Sequence, residues 1–103
     1  MVGGASAISI TPEVVAACLQ VNGEARRKYL GIDPDVMAKV TPFTMWEPVE
    51  AMAQVVAGTN YFVKVKISDS EFLQLRIFKG FDGSVLLHGM LSGPEAEGPI
   101  RYF

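Results

Sequence analysis

Apolar residues recur at three- and four-residue spacing early in the chain and at every second position later on, so the two periods predict a helix followed by strands. Val14, Val15, Ala17, Cys18, Val21 and Ala25 carry the helical period. Thr11 stands where an N-cap is needed, Pro12 at the first helical position, and Glu13 where a carboxylate meets the positive end of the helix dipole. Arg26, Arg27 and Lys28 load positive charge near the other end, and Gly31 closes the helix. The pattern predicts one amphipathic helix. Gly23 inside it costs about 1 kcal/mol relative to alanine and marks where a kink or break would fall.

Residues 1–10 are small and apolar, an N-terminal arm whose part Ala7 to Ile10 suits a short extended segment. Residues 31–42 hold Asp33-Pro34-Asp35 and Thr41-Pro42 and read as a connection with room for one helical turn. Phe43 to Met52 is rich in aromatic and β-branched residues, but Pro48 has no amide to donate and makes this an edge or bulged strand. Thr59 to Ile67 alternates, with Tyr61, Val63, Val65 and Ile67 on one face and Lys64 and Lys66 on the other. Phe72 to Phe78 follows the same rule, Leu73, Leu75 and Ile77 facing away from Gln74 and Arg76, and Asp69-Ser70 joins the two strands. Phe81-Asp82-Gly83-Ser84 reads as a tight hairpin turn, Val85 to Leu91 as a strand, and Ser92 to Pro99 as loop before the apolar end Ile100-Arg101-Tyr102-Phe103. A helix followed by an antiparallel meander buries both amphipathic surfaces most simply as a single α+β domain over residues 1–103.

Composition narrows what such a domain does. Half of the 103 residues are hydrophobic and 19% are charged, enough to build one core. A formal net charge of -2 with scattered basic residues gives no footprint for a nucleic-acid backbone. No segment approaches the roughly 20 apolar residues that span a bilayer, and Met1 to Ala7 lacks the basic start and apolar run of a secretory signal, so neither a membrane nor an export route is expected. Cys18 is the one cysteine, which excludes an intramolecular disulfide and fits a reducing, cytoplasmic setting. Neither Asn22 nor Asn60 begins a glycosylation motif.

Candidate chemistry is thin. Cys18 and His88 are the one possible nucleophile and base, yet Cys18 falls in the apolar helical stripe and His88 in a strand, so a core thiol is the better reading. With no second Cys or His there is no metal-ligand set, and no cofactor motif is present. Gly80, Gly83 and Gly89 punctuate a hairpin rather than a strand-to-helix phosphate loop, and Glu95 and Glu97 belong to a polar loop. Nothing in these residues makes an enzyme.

One segment carries more. Gln54-Val55-Val56-Ala57-Gly58 resembles the Gln-x-Val-x-Gly signature of the cystatins, and Thr59-Asn60-Tyr61-Phe62-Val63-Lys64-Val65 is similar to the strand that follows it in the stefin (type 1) branch. Phe72-Leu73-Gln74-Leu75-Arg76-Ile77-Phe78 resembles the next stefin strand, Tyr102-Phe103 the stefin C-terminus, and Gly3 or Gly4 stands where the family has an N-terminal glycine. On residue type alone Gly58 is a turn glycine and Val55-Val56 are strand residues. Hairpin tips, however, normally carry Asn, Asp, Gly or Ser, and an apolar Val-Val-Ala tip in water favours a contact surface.

The resemblance implies a sheet of about five strands wrapped around one α-helix, with the N-terminal segment and two hairpin tips aligned as a wedge. It implies a reversible, competitive inhibitor of papain-like, cathepsin-type cysteine proteases, touching its target through Gly3, Gly4, Gln54, Val55, Val56, Ala57, Gly58 and Phe81. It also implies a monomer, for which a domain-swapped dimer through the first hairpin is a second accessible state. Two departures stand out: the second tip reads Gly80-Phe81-Asp82-Gly83 without the family's proline, and the stretch between helix and first long strand is several residues longer than a stefin's. The altered second tip keeps open the alternative of a cystatin-fold interaction module that does not inhibit proteases.

Overall fold

The computed structural model of the chain describes residues 5–31 and 43–103. A short strand β1 (Ser6–Ile8) leads into two helices, α1 (Pro12–Gln20) and α2 (Asn22–Leu30). Strands β2 (Glu47–Val56), β3 (Gly58–Lys66), β4 (Phe72–Lys79) and β5 (Val85–Leu91) follow, and a 3-10 turn forms at Gly93–Ala96. All five strands pair antiparallel in chain order, which is the α+β meander that the alternation predicts. Gly3, Gly4 and the connection expected over residues 31–42, from residue 32 on, lie outside the described residues.

The expected single helix is divided. Thr11 is the N-cap, its backbone extended and its hydroxyl accepting a hydrogen bond from the Val14 N–H at 3.3 Å. The break comes at Val21 (φ -97°, ψ 2°) rather than at Gly23, because Asn22 and Gly23 are both poor helix formers and the chain restarts its helix with them. Bonds from Val21 N–H to Ala17 O (3.3 Å) and from Ala25 N–H to Val21 O (2.8 Å) bridge the break. The buried stripe Val14, Ala17, Cys18, Val21 and Ala25 therefore continues across both helices. Gly31 ends α2 in the left-handed region (φ 62°), its N–H donating to Arg27 O at 2.8 Å.

That stripe packs on the inner face of the sheet, where Val63, Val65, Ile67, Leu73, Leu75, Ile77 and Leu87 form one buried cluster with it. Full burial of each large member contributes about 1.5–3 kcal/mol. The first long strand starts at Glu47 rather than at Phe43, since Phe43 packs its ring between Tyr29 and Trp46 at 5.5 and 5.2 Å. It also runs further than expected, to Val56. A bulge lies between Pro48 and Glu50, and among the described residues β1 pairs only with residues 51–53, so no described strand lies beside Pro48 and its missing N–H leaves no ladder bond unmade there. A second bulge puts His88 of β5 between the partners of Arg76 and Ile77.

The outer face differs most from expectation. Lys64 and Gln74, read as the solvent side of their strands, are buried because residues 93–103 fold back over them. Gln74 donates to the carbonyls of Ala96 (3.3 Å) and Pro99 (3.2 Å) and accepts from the Arg101 N–H (3.1 Å). Lys64 donates to the Gly98 carbonyl and lies over the Phe72 ring, and Arg76 donates to the Phe103 carbonyl at 2.8 Å. Phe62 is fully buried beneath Tyr102 and Phe103, with ring centroids 4.9 and 6.0 Å away. The segment Ser92 to Pro99 is thus not loop throughout: its 3-10 turn plugs fully buried Ala96 into this outer layer.

Candidate functional site

Register decides what meets at the end of the sheet. Thr59 pairs with Lys79, so the β2–β3 tip and the β4–β5 tip project from the same end. Ser6 pairs with Ala53, so the start of β1 reaches toward that end as well. Three chain segments remote in sequence are thereby aligned by antiparallel pairing alone.

The first tip is apolar and open to solvent. Val55 is 80% and Val56 43% exposed, and Ala57 is exposed between them and the next strand. Below the tip the hairpin neck is closed: Gln54 and Asn60 face each other in the ladder, both buried, and the Asn60 amide donates to Gln54 Oε1 at 3.1 Å. Gly58 makes the turn at φ 123°, where a side chain is strained, and a Cβ there would stand 2.6 Å from the Lys79 carbonyl and 2.7 Å from the Phe78 ring. Of the residues expected to form this contact, Val55, Val56 and Ala57 are presented outward, while Gln54 and Gly58 lie in the neck that holds them.

The second tip is built differently. Gly80 N–H donates to Ser84 O (2.9 Å) and Gly83 N–H to Gly80 O (3.1 Å), with Gly83 at φ 87°. Asp82 Oδ1 accepts from the Ser84 N–H (3.0 Å) and hydroxyl (2.7 Å), the backbone bond first among the causes that hold its carboxyl below the usual carboxylate range. This network fixes the turn and leaves Phe81 87% exposed. The two tips therefore offer Val55, Val56 and Phe81 from one end of a fixed sheet.

Among the described residues no other chemistry gathers at this end. Cys18 is buried on the helical side, and burial pushes its thiol up to about 12, which keeps it protonated and unreactive. His88 lies parallel to the Phe78 ring at 5.5 Å on the outer face, so the sheet separates the two members of the conceivable dyad. Among the described residues no group of three His, Cys, Asp or Glu side chains is placed to hold a metal ion, and no helix is long and apolar enough to cross a membrane. A small cavity of about 110 Å³ between Tyr29, Glu71, Phe72 and Pro94 adjoins the β3–β4 turn, at the opposite end from the tips. Sequence reasoning missed Asn60, Phe78 and Ser84 as supports. The signal available for Asn60 was a polar residue standing four positions after the Val55-Val56 pair, opposite Gln54 once the turn is placed.

A cystatin-domain family profile matches residues 41–85, the stretch that holds the first hairpin and the turn of the second. Cystatin-A1 of Dictyostelium discoideum is 35% identical over 95 residues, covering 91% of this chain and 95% of that protein. Cystatin-A of Felis catus is 33% identical over 64 residues, covering 59% of this chain and 65% of the cat protein. Cystatin-B of Macaca fuscata fuscata is 51% identical over 37 residues, 36% of this chain and 38% of that protein. The matches to the cat and macaque proteins thus span less than two thirds of those relatives, and identity is highest over a short stretch.

Proposed function

From a chain that belongs to the cystatin family and is stefin-like, we propose a reversible, competitive inhibitor of papain-like, cathepsin-type cysteine proteases rather than an enzyme. The observation that carries this reading is the apolar tip Val55-Val56-Ala57 held in water by a closed neck, beside a second exposed apolar residue, Phe81. Burying a valine side chain in a partner contributes about 1.5–3 kcal/mol, and a preformed tip loses little conformational entropy on docking. In this reading Val55, Val56, Ala57 and Phe81 make the contact, while Gln54 and Gly58 fix its shape. Gly3 or Gly4 would let the N-terminal arm run close along the cleft wall, since glycine has no side chain to hold it off. The hairpin backbone is tied into its own ladder, so its peptide bonds are not offered in the geometry that attack needs. A working monomer in a reducing, cytoplasmic setting fits the single buried thiol.

The anchored Asp82 favours a second reading, a cystatin-fold module whose tips bind some other protein, because it puts a carboxylate beside Phe81 where a fully apolar tip would have none. Titrating active papain and trypsin with the intact protein separates the two. Stoichiometric, reversible loss of papain activity with trypsin untouched is expected; full papain activity at saturating protein would leave the second reading standing.

A further inference from the structure

Phe78 belongs to neither the helix-facing core nor the exposed tips, yet it touches the base of one and the strand that leaves the other. The position a Cβ of Gly58 would take lies 2.7 and 2.9 Å from Cζ and Cε1 of the Phe78 ring, so this ring edge abuts the Gly58 backbone. The ring itself lies parallel to His88, centroids 5.5 Å apart and planes 5° off. His88 is the extra residue of the β4–β5 bulge, and a bulge re-aims the side chain that it inserts. Without it a regular ladder would alternate β5 side chains through this point. Gly58, Phe78 and His88 thus form a brace across β3, β4 and β5, immediately behind both tips.

We propose that Phe78 is the positioning residue of the inhibitory surface, locking the first tip to the second through its seat on Gly58 and its stack on His88. The proposal rests on the inhibitory reading for its consequence, not for its geometry. Gln54 and Asn60 close the neck of the first hairpin within its own two strands; Phe78 adds to the β3–β4 ladder a side-chain contact between that hairpin and the neighbouring one. A ring at this place accounts for glycine at 58 as much as the turn does, because any side chain there would overlap both the ring and the Lys79 carbonyl. Loss of the ring would leave the fold and the tip residues in place but free the first tip to move against the second, a change felt mainly in the dissociation rate.

The test compares Phe78→Leu, Phe78→Tyr and, as a stability control, Tyr102→Ala, whose ring packs on Phe62 in the outer layer. Two readouts are taken: dissociation from papain, and amide relaxation of Ala57 and Gly58 in the free protein. Phe78→Leu is expected to speed dissociation about tenfold and to raise fast motion at Ala57 and Gly58, and Phe78→Tyr, whose hydroxyl on Cζ would press into the Gly58 backbone, to speed dissociation while keeping the stack on His88. Tyr102→Ala should lower the melting temperature and leave both readouts unchanged. Unaltered relaxation and dissociation in Phe78→Leu, or equal acceleration in Tyr102→Ala, overturns the assignment. Should the parent protein fail to inhibit papain, the inhibitory reading falls, and the relaxation data still decide whether Phe78 positions the tip.

Discussion

Val55 and Val56 keep two branched side chains in water although both residues belong to a regular strand, and stability gains nothing from that exposure. A Val55→Asp, Val56→Asp double variant should therefore melt at the parent temperature, surface changes being worth within about 0.5 kcal/mol. Its affinity for papain should fall on the order of 100-fold or more if the proposed contact holds, because two apolar side chains leave it and two carboxylates must be desolvated in their place. Calorimetry and an inhibition titration on the same preparation check the pair of expectations, and retained inhibition would remove the tip from the interface. At this scale the exposed tip was readable from residue types, because Val-Val-Ala contradicts what turns prefer. The partners of Gln54 and Gly58 were not: a hydrogen bond to Asn60 and a ring pressed on a glycine depend on cross-strand register, which local pattern does not carry.

Helices α1 and α2 occupy the expected helical stretch, with its break at Val21, two residues before the Gly23 that marks where one would fall. Capping at Thr11 and termination at Gly31 were legible because each rests on one residue type meeting one backbone need. The break at Val21 was not, since valine there continues the buried stripe and only the two weak helix formers after it hint at a restart. Gly23 lies inside α2 with open space around the position of a Cβ. Gly23→Ala should raise the stability by about 1 kcal/mol, measured as a higher urea midpoint with unchanged slope, and should leave papain inhibition as it was. Strands β3 and β4 were the most readable elements, for their inward faces alternate cleanly. Their outward faces misled: Lys64 and Gln74 look solvated until residues 93–103 return across them, and no window of local sequence contains both layers.

The whole molecule is a three-layer arrangement of helices, sheet and returning segment, with its tips at one end, and this bears on how one copy meets another. Val55 and Val56 are extended and the turn is confined to Ala57 and Gly58, so straightening those two residues would merge β2 and β3 into one long strand. A dimer swapped through that hinge reuses native contacts at low cost and abolishes the first tip. We expect any dimer formed on mild heating, isolated by size and assayed before it reverts, to leave papain active while the monomer inhibits it; an inhibitory swapped dimer would contradict the contact assigned to the tip. A different exchange is resisted at the sheet borders. The open half of β2 carries Glu47, Pro48 and Glu50, which discourage a visiting strand. The seven residues of β5 include no Asp, Glu, Lys, Arg or Pro, and the extra residue His88 is what interrupts them. The bulge breaks the regular spacing of that border, so a second copy laid along β5 meets a twisted, irregular edge rather than a flat one. Such a bulge turns an uncharged border away from the flat geometry that a fibre needs.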